Sequence, residues 1–146
     1  MEGEGEMEIV ADASVIVKWY LIEEYRDDAL RIRDDYINGK ITIIAPSIMP
    51  FEVLNAIRYS RRDIDQRTLE NIGRSLILYG IKLFPMNMKL MEKTVEISLK
   101  YDVTIYDAAY VALAFIRDAI LYTADKKLIQ KVKHEKVKHL SEYKGI

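Results

Sequence analysis

Four acidic residues, Asp12, Glu52, Asp107 and Asp125, stand where chain order could gather carboxylates. Asp12 directly follows the apolar run Met7 to Ala11, and Asp125 follows a second such run, Ala119 to Thr123. Glu52 and Asp107 fall in the first turns of expected helices. Singly, each has a plain structural role. Asp12 and Asp125 can cap helices, and Glu52 and Asp107 suit the positive end of a helix dipole. Thr104 and Asp107 also have the spacing of a capping box. Together they imply more, because clustered carboxylates repel one another unless they are protonated or hold a cation. Donors that are all oxygen suit Mg²⁺ or Mn²⁺ rather than zinc or copper. A cation held there could polarise a phosphodiester and lower the pKa of a bound water. With no cysteine in the chain, thiolate nucleophiles, cysteine metal sites and disulfides are excluded. His134 and His139 lie in a charged segment far from the acids in register, and are expected on the surface.

The elements needed to converge these acids can be read along the chain. Met7 to Ala11 reads as a strand, and Ala13-Ser14 opens a helix continuing to about Leu21. Tyr25 to Asn38 reads as a charged amphipathic helix with Ala29, Leu30, Ile37 and Tyr36 facing inward, ended by Asn38-Gly39. Ile41 to Ala45 is a second buried strand, stopped by Pro46. Pro50 marks a helix start with Glu52 in its first turn. Asp63 to Gln66 breaks that helix and caps the next, which runs to Tyr79 and ends at Gly80. Ile81 to Phe84 is a third strand. Asn87 caps a helix to about Tyr101, with Met88, Met91, Val95 and Leu99 near one face, a stripe suited to core or a subunit interface. Thr104 caps a helix whose run from Ala108 to Ile116 is apolar throughout, and so buried on most sides. Arg117-Asp118 ends it, and Ala119 to Thr123 is the fourth strand. Asp125 opens the short basic helix Lys126 to Val132, and Val137 to Leu140 is an edge strand. Strands alternating with helices imply a parallel sheet covered on both faces. In such a sheet, strand carboxyl ends and most following helix starts share one edge, so topology brings the acids together.

Composition narrows the class. The 146 residues, half of them hydrophobic, suit one globular domain over residues 7–146. The alternating Glu and Gly of residues 1–6 suit a frayed or appended extension, with Met7 a possible true start. The acidic start does not resemble a signal peptide, and the longest apolar run is too short to span a bilayer, so a cytoplasmic protein without a membrane partner is expected. Formal net charge is −1, so any basic surface must be local. The densest basic stretch holds Arg58, Arg61, Arg62, Arg67 and Arg74.

Four motifs carry a resemblance. Val10 to Ser14, Phe51 to Ala56, Tyr106 to Ala114 and Leu121 to Leu128 resemble the four motifs of PIN-domain ribonucleases, and are most similar to VapC-type toxins of prokaryotic toxin–antitoxin pairs. The resemblance covers Met7 to about Leu140. It implies a three-layer α/β sandwich with a central parallel five-stranded sheet flanked by helices, and a Mg²⁺- or Mn²⁺-dependent endoribonuclease. Asp12, Glu52, Asp107 and Asp125 would be the catalytic quartet, with Asp12, Asp107 and Asp125 on the metal. Ser14, Asn55 and Thr123 would support them. Ala13 departs from the Thr or Ser often found beside the first Asp. The resemblance also implies a homodimer and a cognate antitoxin. Arg58, Arg61, Arg62, Lys126 and Lys127 are expected to hold the RNA backbone. The competing readings are a Mg²⁺-dependent phosphatase or phospho-acceptor domain, and a binding module without turnover. Against the phosphatase, Asp12-Ala13-Ser14 lacks a second aspartate two residues on.

Overall fold

Residues 7–145 are described by a computed structural model; the extension expected at residues 1–6 lies outside them. Five strands, β1 (Met7–Ala11), β2 (Ile41–Pro46), β3 (Lys82–Phe84), β4 (Ile120–Thr123) and β5 (Val137–His139), form one sheet in the order β3-β2-β1-β4-β5. Every pairing is parallel. Strand β1 is central, with Ile9 opposite Ile43 on one side and Ile120 on the other. Successive strand residues point to opposite faces, and Ile9, Val10 and Ala11 are all fully buried, so both faces are covered.

The chain leaves β1 toward β2 and β3, then returns to the other side of β1 as β4. That reversal places a topological switch point between β1 and β4, where open parallel sheets bind ligands beyond their carboxyl ends.

Seven α-helices surround the sheet among the described residues: α1 (Ala13–Ile16), α2 (Arg26–Ile37), α3 (Met49–Ser60), α4 (Gln66–Tyr79), α5 (Met88–Tyr101), α6 (Ile105–Arg117) and α7 (Lys126–Val132). The helix expected from Ala13 to Leu21 is shorter, because a 3-10 turn at Val17–Trp19 follows α1. Helix starts follow their caps: the side chains of Asp65, Asn87, Thr104 and Asp125 each accept from a first-turn backbone N–H. Helix α4 stops at Gly80, whose φ of 67° is a left-handed conformation that glycine adopts without strain.

Helix α6 lies against β1, β2 and β4, with α5 packed on it. Its small residues Ala108, Ala112 and Ala114 are fully buried and let the helix sit close. A bulkier side chain at Ala112 would overpack this contact at a cost of about 1–3 kcal/mol.

Three expectations about packing are corrected at particular residues. On α5, Leu90, Thr94 and Ile97 face inward, while Met88 (73% exposed) and Leu99 (80%) point to solvent, so of the two roles expected for the Met88–Leu99 stripe the core is ruled out and a subunit interface is left. On α2, Ala29 faces inward and Leu30 and Tyr36 pack half-buried against the core as expected, but Ile32 is the second fully buried residue and Ile37 is 59% exposed. His134 and His139 are half-buried rather than surface residues. The Nδ1 of His139 accepts from Ser141 N–H at 3.1 Å, and its ring meets Tyr25 edge-on at 4.6 Å. His134 accepts from Lys136 N–H and packs on Phe115.

Candidate active site at the carboxyl edge of the sheet

Asp12 is the first residue past β1. Its side chain caps α1, accepting from Ser14 N–H at 3.0 Å and from the Ser14 hydroxyl. Ser14 Oγ in turn accepts from Ala124 N–H at 2.9 Å, beyond the end of β4. A relay therefore runs from the β4 turn through Ser14 to Asp12, across the switch point. Thr123, fully buried at the end of β4, accepts from Asp125 N–H at 3.0 Å and lies 3.4 Å from the Ser14 hydroxyl. Asp125 Oδ1 accepts from Lys127 and Leu128 N–H, capping α7.

Glu52 and Asp107 reach the same edge from helices. Glu52 is in the first turn of α3, and Asp107 in that of α6, where its N–H donates to Thr104 Oγ1 at 3.1 Å. Tyr110, one turn further along α6, donates its hydroxyl to Glu52 Oε1 at 2.6 Å.

The four carboxylates feel one another through Asp107. Burial first, opposed by hydrogen bonds from Ser14 and Thr123 and helped by the charge of Asp107, pushes the Asp12 carboxyl from 3.8 up to about 6. Glu52 is raised by burial and then by Asp107, against the lowering effect of Tyr110. Asp107 is raised by burial and then by Asp125. The Tyr110 hydroxyl is raised far above its ordinary value by burial and by Glu52, which holds it protonated and a donor.

None of the ion pairs among the described residues includes Asp12, Glu52, Asp107 or Asp125. This edge thus carries buried and half-buried carboxylates without a neutralising side chain. In donor chemistry it fits a hard divalent cation, since every donor is oxygen. The carboxylates do not close on a point: among the described residues, no three Asp, Glu or His side chains are grouped tightly enough to hold a metal ion as they stand.

The remaining candidates divide. Ser14 and Thr123 are wired to the acids as above. Asn55 is exposed on α3 and lines a shallow pocket with Glu52, Phe51 and Tyr106, without a hydrogen bond to an acid among the described residues. Arg58, Arg61 and Arg62 cluster around the end of α3, where Arg58 and Arg62 lie over the Tyr59 ring and Arg61 is 3.8 Å from Asp63. Lys126 and Lys127 directly follow Asp125 and are exposed, with Lys126 over the Tyr25 ring. Tyr110 is a site residue that sequence reasoning misses. It sits in an apolar helical run, and its partner Glu52 is 58 residues away, so no local signal marks it.

Comparison with known proteins agrees with this architecture. The PIN domain family model matches residues 9–135. Ribonuclease VapC3 of Pyrobaculum aerophilum is 28% identical over 131 residues, covering 86% of this chain and 95% of that protein. Two solved structures share the fold. One is a toxin–antitoxin complex from Klebsiella pneumoniae, with a TM-score of 0.63, 16% identity and coverage of 92% of this chain and 99% of that one. The other is VapC20 of Mycobacterium tuberculosis, described as a sarcin-ricin loop cleaving toxin, with a TM-score of 0.64, 13% identity and coverage of 84% and 93%.

Proposed function

We propose, for a chain that belongs to the PIN domain family, that it is a divalent-metal-dependent endoribonuclease, the toxin of a toxin–antitoxin pair. The observation that carries this reading is the set of four carboxylates at the switch point, with Asp107 acting on Asp12 and Glu52 and acted on by Asp125, none of them in an ion pair with a cationic side chain among the described residues. The toxin assignment draws on the similarity to a ribonuclease of the VapC series and on the shared fold of toxin–antitoxin complexes.

In this reading Asp12, Asp107 and Asp125 would hold Mg²⁺ or Mn²⁺, for which their side chains have to draw closer together than they stand. When bound, such an ion stabilises negative charge on the phosphate undergoing transfer and acidifies a bound water. Glu52 takes the proton from the water whose oxygen attacks phosphorus, and the ester P–O bond to the leaving oxygen breaks. That oxygen takes a proton from solvent. The raised pKa of Glu52 suits this role, because a carboxylate nearer neutrality is a stronger base. Ser14 and Thr123 keep Asp12 and the β4 turn in register. Lys126 and Lys127, beside Asp125, and Arg58, Arg61 and Arg62 beyond Glu52 would hold RNA phosphates and so position the strand.

The partners in this reading are RNA, a second copy of the chain, and a cognate antitoxin. An apolar cavity of about 250 Å³, lined by Ile48, Phe84, Met86, Leu90, Ile105 and Tyr106, adjoins the start of α6 and would suit apolar side chains of an antitoxin segment. No helix among the described residues is long and apolar enough to cross a membrane.

Purified protein should cleave RNA with Mg²⁺ or Mn²⁺ and lose all cleavage in EDTA. Cleavage that persists in EDTA contradicts the metal role of the acids.

A further inference from the structure

Tyr110 is 2% exposed, yet its hydroxyl is not spent on a backbone carbonyl. A buried tyrosine needs some partner for its O–H. Here that partner is Glu52 Oε1 at 2.6 Å, a short bond to a charged acceptor of the kind roughly twice as strong as a neutral one. The bond joins α6 to α3, so the helix that carries Asp107 also grips the acid carried by the other. Asp107 and Tyr110 are an i, i+3 pair, so both lie on one face of α6.

The choice of donor matters chemically. A Lys or Arg would fix Glu52 equally well, but its charge would hold the carboxyl low and make it a poor base. A neutral phenol fixes one oxygen and leaves Oε2 without a protein donor among the described residues. Glutamate side chains otherwise lose considerable rotamer freedom when ordered. Phenylalanine would fill the same apolar space, so packing alone does not account for the hydroxyl.

We propose that Tyr110 is a positioning residue that locks Glu52 in the orientation needed for proton transfer from the attacking water, an inference that rests on the ribonuclease reading above. It acts through Glu52 and not on the RNA itself.

The test is Tyr110→Phe in the full chain, measured three ways: steady-state RNA cleavage with Mn²⁺, thermal melting, and the crystal structure of the variant. The expected result is a kcat about 10- to 100-fold lower, the range seen when an outer-shell partner is removed. KM for RNA should stay within about twofold, because no substrate contact is lost. Glu52 should swing to a different rotamer while α3 and α6 keep their places. A variant with unchanged kcat overturns the proposal. So does a lowered kcat with Glu52 unmoved, which would mean that Tyr110 acts directly. If the variant melts too low to assay, Glu52→Gln supplies the second route. The amide oxygen introduced by Glu52→Gln can still accept from Tyr110, so the crystal structure of that variant should keep this hydrogen bond, lengthened to an ordinary neutral distance of about 2.7–2.8 Å, and a side chain turned away overturns the proposal. Wild-type protein that cleaves no RNA with any divalent ion overturns the ribonuclease reading, and the proton-transfer role with it. The position of Glu52 in Tyr110→Phe would then still report whether the phenol holds it.

Discussion

The two pairs of acids at the sheet edge are held in different ways. Asp12 and Asp125 stand on strand-to-helix turns, where each caps the helix that follows and the Ser14 relay links the turns. Glu52 and Asp107 stand on helices, and their positions depend on how α3 and α6 pack against the rest of the molecule. The strand-end pair is organised by neighbours within a few residues and by the adjacent strand. The helix-borne pair is organised by tertiary structure, with the Tyr110 hydroxyl as its one direct side-chain tie among the described residues. Both pairs nevertheless share one electrostatic unit, because Asp107 raises Asp12 and Glu52 and is itself raised by Asp125.

The largest expected effect comes from removing charge on the strand-end side without disturbing the cap. Asp12→Asn keeps an acceptor for Ser14, and Asn caps about as well as Asp. Loss of a ligand to a Lewis acid that supplies several kcal/mol should slow RNA cleavage by at least about a hundredfold. Single-turnover cleavage measures this, and wild-type rates would show that Asp12 is only a cap.

Stability against pH gives the next effect. Asp12 has a folded pKa of about 6, above the ordinary 3.8, so the folded state binds the proton more tightly. Its favourable contribution is complete below about pH 4 and is lost as pH rises through 6, a fall of about 3 kcal/mol for metal-free protein. Asp12→Asn should remove most of that slope. Chemical denaturation from pH 4 to 8 checks it, and identical slopes in the two proteins would contradict it.

The smallest effect belongs to the basic residues outside both pairs. Arg61→Ala should weaken RNA binding a few-fold and reduce the salt slope by about one, without moving the cut site. A shifted cut site would mean that Arg61 reads bases.

The sequence is most readable where local chemistry decides the outcome. Asp65, Asn87, Thr104 and Asp125 cap the helices expected of them, and Gly80 ends α4 through a left-handed backbone. The strand–acid–helix order at Asp12 predicts its place at the edge. Packing is less readable. On α5, Leu90, Thr94 and Ile97 make a stripe at helical spacing, and so do Met88, Met91, Val95 and Leu99; only contact with α6 selects between them. Ile37 is the last residue of α2, and at 59% exposed it stays largely in solvent. His139 is drawn in by Tyr25 and by its own turn, which its charged flanks in sequence do not reveal. Tyr110 reads as one more apolar residue until α3 is laid beside α6.

The central claim is that the two pairs of acids act as one cluster, three of them on a cation and Glu52 beside it, and Asp107→Asn tests it because the competing accounts predict opposite signs. If Asp107 only complements the α6 dipole, neutralising it should cost metal-free protein roughly 0.3–1 kcal/mol. If the carboxylates repel one another as a cluster, the same change relieves that repulsion. The measurement is thermal melting at neutral pH of wild type and Asp107→Asn, each metal-free and with saturating Mn²⁺. The cluster account predicts that the metal-free variant melts above metal-free wild type. It also predicts that Mn²⁺ at a hundred times its dissociation constant adds about 2.7 kcal/mol to wild type by linkage, and far less to the variant. A metal-free variant that melts at or below wild type, with Mn²⁺ shifting neither protein, would contradict it.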